Sequence, residues 1–336
     1  MERGGPQPQS RAPRIDEWPF IRYRPRASDC RKRWKKPSLL LAALLLRGGF
    51  ALVMPGAFTT SGHFVFLPDT ADFPTAYTSH WDDFRWWYSV AIAANLAVMI
   101  LSRMLLPLLL PTSWAAMVKE SPYKAISVPK NVTEWFPACV VFPLALSPVR
   151  VITRAALAEP AMALYLPAPS GVWCATGAAV GYMTFDCTLL LLFRRTMISS
   201  MKTPMYLQMW AHHLLSMFIW PYGLHTSCAC VFIAWFLLSE GSNLFLNCRT
   251  LLIKFNAGSG FKFAIANGLF GLSFLILRMV PMPLFLAFWY GIDWSRTTWL
   301  TFAMSAVSTP LPVFLNIFWF NQILAGALGK PKKKSS

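Results

Sequence analysis

Two adjacent histidines, His212 and His213, lie in a segment of otherwise mostly apolar and aromatic residues, 205–220. A charged side chain in the middle of a membrane span costs about 2.5–3.5 kcal/mol to insert, so ionisable residues there usually mark a pathway or a site. Histidine is also the side chain that gains and loses protons most readily near neutral pH. The pair therefore indicates acid–base or nucleophilic chemistry on a lipid, with an imidazole serving as a base or as an acyl acceptor.

Two carboxylates, Asp186 and Glu240, lie in the apolar segments before and after the histidines. Counting the helical rise from the predicted cytosolic ends of these segments places Asp186, His212 and Glu240 about 9–10 Å deep. A carboxylate at that depth can hold a histidine in one tautomer. Neighbouring residues on a helix point about 100° apart, so one histidine can react while the other is structural. The alternative is that these side chains only hydrogen-bond neighbouring spans to each other.

Further polar residues extend this candidate site. Glu240, Asn243 and Asn247 follow i, i+3, i+7 spacing, which predicts one face of a continuous helix turned toward a bundle interior or a cavity. Arg278 is expected nearer the lumenal side, apart from this cluster. Arg103 lies about 10 Å from the predicted cytosolic side, where pairing with a carboxylate or lipid phosphate competes with snorkelling to the interface. No further histidine or cysteine lies at a suitable depth, so no metal site is predicted.

The segments that must position these residues are membrane spans. Of the 336 residues, 55% are hydrophobic and 13% are charged, and the mean hydropathy is +0.44. Apolar runs near the roughly 20 residues that cross a bilayer recur along the chain, and they are apolar on nearly all sides. The composition predicts an all-α, polytopic transmembrane helix bundle with about eight spans: 38–58, 86–110, 135–152, 171–193, 206–223, 227–246, 263–290 and 298–322. Pro281 and Pro283 predict a bend or break in the seventh.

The basic residues carry topology information. The net charge is +17, and eleven of the 31 lysines and arginines lie in 1–37, a basic cytosolic N-terminus expected to be disordered. The others concentrate in loops on one side of the predicted spans, including Lys124, Lys130 and Lys254. This asymmetry predicts both termini in the cytosol and argues against a nucleic-acid-binding surface. The sequon at Asn131 would then face the cytosol and stay unglycosylated.

The C-terminal residues Lys333 and Lys334 stand fourth and third from the end of the sequence. That register looks like a dilysine signal, which coat-type retrieval machinery reads, and it predicts a location in the endoplasmic reticulum membrane. The alternative is a basic flank that contacts anionic lipid. The chain then divides into the N-terminus 1–37, two N-terminal spans with an acidic lumenal loop at 38–118, a main helical domain at 119–325 and a basic tail at 326–336.

The seven cysteines show neither a CxxC pair nor the spacing of a zinc site or disulfide framework. Cys228 and Cys230 are close enough in sequence to form a redox pair. Cysteines beside membrane spans more often behave as small buried hydrophobic residues, and both interpretations remain open for this pair.

Three of these segments resemble the TLC-domain family, whose members include ceramide synthases, translocon-associated proteins and small TLC-domain proteins. The resemblance covers roughly 119–325 and rests on Gly181–Leu190, the histidine pair and Leu237–Arg249. Ceramide synthases carry a segment of the form HDxxDxxLE after their histidines, where this chain has Asn243 and Asn247 in place of two acids. The chain also lacks the arginine and histidine that small members often carry beyond the position of Glu134, although its overall match is closer to those small members.

The resemblance implies a bundle of about six helices around a lipid-sized cavity that opens toward the cytosolic leaflet. It implies catalytic roles for His212, His213, Asp186 and Glu240. The further polar residues that it implies as lining or supporting the cavity are Tyr182, Asn243, Asn247, Arg249, Asn267 and Arg278.

The function that follows is the handling of membrane lipids, with an influence on sphingolipid or phospholipid acyl composition. If the protein is an enzyme, it is an N- or O-acyltransferase that uses acyl-CoA as a co-substrate and needs no cofactor. The alternative is a non-enzymatic lipid sensor, a regulator of lipid homeostasis or a cargo receptor of the secretory pathway. A transporter is less favoured, because no inverted repeat or glycine-broken pair of helices is evident.

Overall fold

The computed structural model describes residues 80–201 and 203–327. The basic N-terminus, the predicted span at 38–58, most of the predicted lumenal loop and the two C-terminal lysines lie outside these residues. Within them the chain is helical and has no strand, as the all-α prediction requires. The α-helices are α1 Trp81–Leu109, α2 Pro111–Glu120, α3 Lys124–Thr133, α4 Phe142–Ala158, α5 Ser170–Leu192, α6 Arg194–Met201, α7 Thr203–His225, α8 Cys230–Ser239, α9 Asn243–Lys254, α10 Phe261–Phe274, α11 Met282–Gly291, α12 Trp299–Ser308 and α13 Pro310–Ala327.

Short turns of tighter or wider helix join several of these elements. Two are π-helical, Pro137–Val141 and Leu275–Met279, and three are 3₁₀-helical, Pro160–Tyr165, Glu240–Ser242 and Trp294–Arg296. Because the turns continue the helical path, neighbouring helices join into longer rods. In the described part of the chain, six rods are long and apolar enough to cross a membrane: Trp81–Leu109, Lys124–Ala158, Ser170–Leu192, Cys230–Lys254, Phe261–Gly291 and Trp299–Ala325. The protein is therefore a multi-pass membrane protein.

Helix α7, which carries the histidines, is not one of these six apolar rods. It is 23 residues long, which suffices to cross a bilayer, so its length agrees with the predicted span at 206–223. Gln208, His212 and His213 lower its hydropathy. Polar side chains in such a helix must face other helices rather than lipid.

Two predicted spans need correction. The third was expected to begin at residue 135, but its helix begins at Lys124, because the polar residues of α3 are paired inside the bundle instead of forming a loop. The sixth was expected to end at 246 but continues to Lys254. Its 3₁₀ turn at Glu240–Ser242 also interrupts the continuous helix that was predicted for the polar stripe.

Prolines mark the breaks in the last two spans. The chain leaves the helix at Val280 and Pro281, as predicted from the two prolines there. The final predicted span is two helices, α12 and α13, which meet just before Pro310. A proline removes a backbone donor and clashes with the preceding turn, so helices tend to end or restart at it.

Helix α5 is the centre of the bundle. Its spanning stretch is 83% buried, against 11% for α1. Helix α1 nevertheless packs closely on it, because Gly177 and Gly181 leave room for the α1 backbone. A Cβ atom at Gly177 would lie 2.3 Å from the carbonyl oxygen of Phe84, and one at Gly181 would lie 2.4 Å from that of Tyr88. Small residues spaced four apart are a common means of close helix packing in membranes. Helix α7 packs on α5 as well, which brings the histidines to the centre.

Candidate functional site

A histidine and a carboxylate meet between α5 and α7. Nε2 of His213 lies 3.0 Å from Oδ2 of Asp186. Asp186 is 0% exposed and His213 is 3% exposed, so the pair is closed off from bulk solvent. A charged group buried in this way is stable only when other groups compensate it.

The contact selects one tautomer of the neutral His213 ring. An ionised carboxylate only accepts hydrogen bonds, so the neutral imidazole donates its Nε2–H to Asp186 and keeps a lone pair on Nδ1. Nδ1 is buried and has no hydrogen-bond partner among the described residues. The Tyr182 ring packs edge-on against the imidazole at 6.2 Å, with an interplanar angle of 89°. A basic nitrogen is thus held in the bundle interior with its lone pair unused.

Asp186 has a second partner, Lys130, which sequence reasoning missed. Lys130 Nζ lies 2.7 Å from Asp186 Oδ1 and also pairs with Glu134. The predicted cytosolic loop position of Lys130 is therefore wrong: the residue is 3% exposed and lies within a spanning rod. The available signal was the i, i+4 spacing of Lys130 and Glu134 immediately before an apolar run, which is the spacing of a helical ion pair.

The polar network continues beyond Glu134. Asn131 donates its side-chain amide to Glu134 at 2.5 Å. Lys254, at the end of α9, donates to the Asn131 side chain and to the backbone carbonyl of Ser127, the latter at 2.7 Å. Asn131 is 4% exposed. Packing therefore shields the Asn131 side chain of the sequon, which was already predicted to stay unglycosylated on the cytosolic side.

His212 differs from its neighbour. It is half-buried, its ring centroid lies 5.4 Å from that of His213, and it makes no hydrogen bond or ion pair with the described residues. Adjacent positions on a helix point in different directions. Only His213 meets the carboxylate, so the two histidines have separate environments.

Glu240 is hydrogen-bonded to a different residue from those that pair with Asp186. Its carboxylate accepts a hydrogen bond from Asn243 at 2.5 Å, and Arg278 supplies a nearby positive charge. Arg278 donates to Ser242 at 2.8 Å and to Asn316 at 3.3 Å. No hydrogen bond joins Glu240 to either histidine.

Arg278 was expected apart from the polar cluster, and that prediction is wrong. The predicted depths failed because the sixth span is longer than expected. Counted along the helix, Glu240 lies about 21 Å from the Lys254 end and Arg278 about 20 Å from the Gly291 end. Both residues are therefore near the middle of their rods. The Arg278 guanidinium also lies over the Phe274 ring, 5.3 Å from its centroid.

The remaining predicted polar residues hold helices together. Asn247 donates to the backbone carbonyl of Glu134 at 2.6 Å, and Arg249 donates through Nε to Asn267 at 2.8 Å. These bonds fasten α9 to the α3 rod and to α10. Arg103 is exposed on α1 and has no ion pair in the described residues.

A small, partly open pocket lies away from the histidines. It is formed by the C-terminal part of α7, the turn before α8, α8 itself and α12, with Trp220, Phe236 and Met304 among its apolar lining. Cys228, Ser305 and Thr309 contribute polar atoms. Neither histidine nor Asp186 lines it. The pocket is separate from the polar cluster, and the cavity expected around that cluster stays a prediction.

The two neighbouring cysteines are buried thiols without a disulfide. Cys228 Sγ lies 3.4 Å from the Ser305 hydroxyl. Burial raises the pKa of the Cys228 thiol to about 11, and the Ser305 hydrogen bond offsets this only in part. A thiol that stays protonated near neutral pH is a poor nucleophile and a poor redox partner.

The chain is thus a multi-pass helical membrane protein with a histidine–aspartate pair buried between two central helices. A family model, the TLC domain, matches residues 127–325. This match covers more than half of the sequence, and the chain belongs to the TLC-domain family, as the resemblance predicted. It is accordingly a lipid-related membrane protein. No match was found among curated proteins, and none among solved structures.

Proposed function

We propose that this protein transfers an acyl group from acyl-CoA to the amine or hydroxyl group of a membrane lipid, with His213 as the base. The observation that carries the proposal is the contact of His213 Nε2 with Asp186, together with an Nδ1 that has no hydrogen-bond partner among the described residues. A side chain that is oriented by a carboxylate and carries a free lone pair is the arrangement that general-base catalysis requires.

The chemistry balances without an oxidant or a metal. Nδ1 of His213 takes a proton from the lipid amine or hydroxyl as that group attacks the thioester carbonyl. The carbon–sulfur bond breaks, and the protonated imidazole returns its proton to the departing thiolate. Asp186 remains ionised and stabilises the imidazolium that exists between these two transfers.

The proposed setting is the endoplasmic reticulum membrane, with both termini in the cytosol. The dilysine-like end, Lys333 and Lys334, and the distribution of basic residues support it. In this setting acyl-CoA would approach from the cytosol, and the product would alter the acyl composition of sphingolipids or phospholipids. Coat-type retrieval machinery would bind the C-terminal tail.

The test is acyl transfer by the purified protein. The detergent-solubilised chain receives labelled acyl-CoA together with long-chain bases or lysophospholipids, and lipid products are identified by mass spectrometry. We expect label transfer by the wild-type chain and its loss in His213→Ala. Phe218→Ala is the matched control, because Phe218 lies on the same helix, five residues further along, and is exposed rather than part of the site.

A second candidate is a lipid-binding protein without chemistry. The pocket lined by Trp220, Phe236 and Met304 supports it, because this mostly apolar surface lies apart from the base. Co-purified lipid in both the wild type and His213→Ala, with no transfer by either, would establish this second function and refute acyl transfer.

A further inference from the structure

We infer that Lys130 is a positioning residue for His213: it holds Asp186 ionised and in place, so that the histidine stays neutral with its proton on Nε2. The catalytic meaning of this role rests on the proposed acyl transfer, but the tautomer itself can be measured without it.

The two oxygens of Asp186 are divided between two partners. Oδ2 meets His213 at 3.0 Å and Oδ1 meets Lys130 at 2.7 Å. The side chains of Lys130 and Asp186 are 4% and 0% exposed, so water does not screen either charge. The carboxylate cannot rotate away from the imidazole without leaving the ammonium. Lys130 therefore fixes both the charge and the orientation of the group that orients His213.

Charge balance gives the reason why His213 is neutral. The network contains two carboxylates, Asp186 and Glu134, and two ammonium groups, Lys130 and Lys254, whose formal charges cancel. An imidazolium would add an uncompensated buried positive charge, which is costly. Without Lys130, Asp186 would lack its cation, and a proton would move onto the carboxylate or onto His213. The first change removes the anionic acceptor of the Nε2–H hydrogen bond, and the second removes the lone pair on Nδ1.

Lys130 is itself anchored from a third element. A continuous series of contacts runs from the end of α9 through α3 to α5 and α7, in the order Lys254, Asn131, Glu134, Lys130, Asp186 and His213. Asn247 reinforces it by bonding the backbone carbonyl of Glu134 at 2.6 Å. Four helices thus contribute to the position of one imidazole, which is how a rigid scaffold keeps a reactive group in place.

The test is the protonation pattern of the His213 ring, read from the nitrogen NMR shifts of histidine-labelled protein in detergent. The His213→Ala spectrum assigns the signals. We expect the wild type and Lys130→Arg to show one protonated nitrogen, Nε2, and one unprotonated nitrogen, Nδ1. In Lys130→Gln we expect this pattern to be lost. An unchanged His213 pattern in folded Lys130→Gln would overturn the inference.

A second variant covers the case in which Lys130→Gln does not fold. Lys130→Gln/Glu134→Gln removes one cation and one anion, so the net charge is conserved while Asp186 still loses its ammonium. The same loss of the Nε2–H pattern is expected, and retention of the pattern contradicts the inference. Folding of each variant is checked by its melting temperature and its elution as a single species.

Acyl transfer by the same proteins separates the two proposals. If the wild type transfers no label while the ring pattern changes as expected in Lys130→Gln, the proposed function fails and the positioning role stands. If the wild type transfers label and Lys130→Gln keeps both the rate and the ring pattern, the positioning role fails and the proposed function stands. A wild-type transfer rate in Lys130→Arg, together with a lower rate in Lys130→Gln, supports both proposals.

Discussion

Asp186 and His213 meet at 3.0 Å from two different helices, and each is almost completely buried. This single contact decides which of the two adjacent histidines has a defined tautomer. It also ties the centre of the bundle, α5, to α7, which carries both histidines and is not one of the six apolar rods.

Replacing the carboxylate should affect the chemistry more than the fold. Asp186→Asn keeps the size of the side chain but loses the charge that fixes His213 and stabilises its protonated form. We expect acyl transfer to fall by about 10²–10⁴-fold, which is the usual contribution of an acid–base group. The measurement is the transfer rate at saturating acyl-CoA. An Asn variant with the wild-type rate would contradict the assigned role of Asp186.

The buried cluster around Arg278 should contribute to stability. Arg278 donates to Ser242 and Asn316, and Glu240 supplies the nearby negative charge. Glu240→Gln would remove the carboxylate whose charge acts on the guanidinium, and a buried charge that is left uncompensated is costly. We expect a clearly lower melting temperature in detergent.

Arg103→Met is the control for that experiment. Arg103 also lies in a spanning helix, but it is exposed and has no ion pair among the described residues. Its replacement should leave the melting temperature nearly unchanged. Equal melting temperatures for Glu240→Gln and the wild type would show that the Arg278 cluster does not stabilise the bundle.

Close packing of α1 on α5 should depend on Gly177, which has no side chain. A Cβ at Gly177 would lie 2.3 Å from the Phe84 carbonyl oxygen, which is backbone and cannot move aside. We expect Gly177→Ala to destabilise the protein by about 1–3 kcal/mol, the usual cost of overpacking. Gly268→Ala is the matched control, since nothing lies within 4 Å of a Cβ there. If both variants melt alike, the close approach of the two helices is not required.

The sequon at Asn131 should remain unmodified in cells. Its side chain is 4% exposed and is bonded to Glu134 and Lys254, so the folded chain offers no access to the amide. We expect no change in electrophoretic mobility after treatment with an N-glycosidase. A mobility shift that disappears in Asn131→Gln would contradict this placement.

Much of the architecture was predictable because each span is a long, continuous apolar run. Segment lengths and composition predicted a helical, multi-pass protein, and Pro281 correctly predicted the break before α11. The limits of α3 were not predictable in the same way. A short run containing Lys130, Asn131 and Glu134 has the composition of a loop, and only its partners on other helices make it part of the bundle.

The site was predicted less completely for a related reason. Depth along a helix placed Asp186 near the histidines, but it cannot determine the rotation or tilt of each helix, or the true end of α9. Arg278 was therefore expected apart from Glu240, whereas the two share one cluster. Contacts between helices depend on packing that no single segment encodes.

The most direct measurement compares His213→Ala and His212→Ala in the labelled acyl-transfer assay, with folding verified for both. The contact with Asp186 and the free Nδ1 belong to His213 alone, while His212 is half-buried and has no bonded partner among the described residues. We expect loss of transfer in His213→Ala and a smaller reduction in His212→Ala. Full activity in His213→Ala, or loss of activity confined to His212→Ala, would contradict the proposed role of His213.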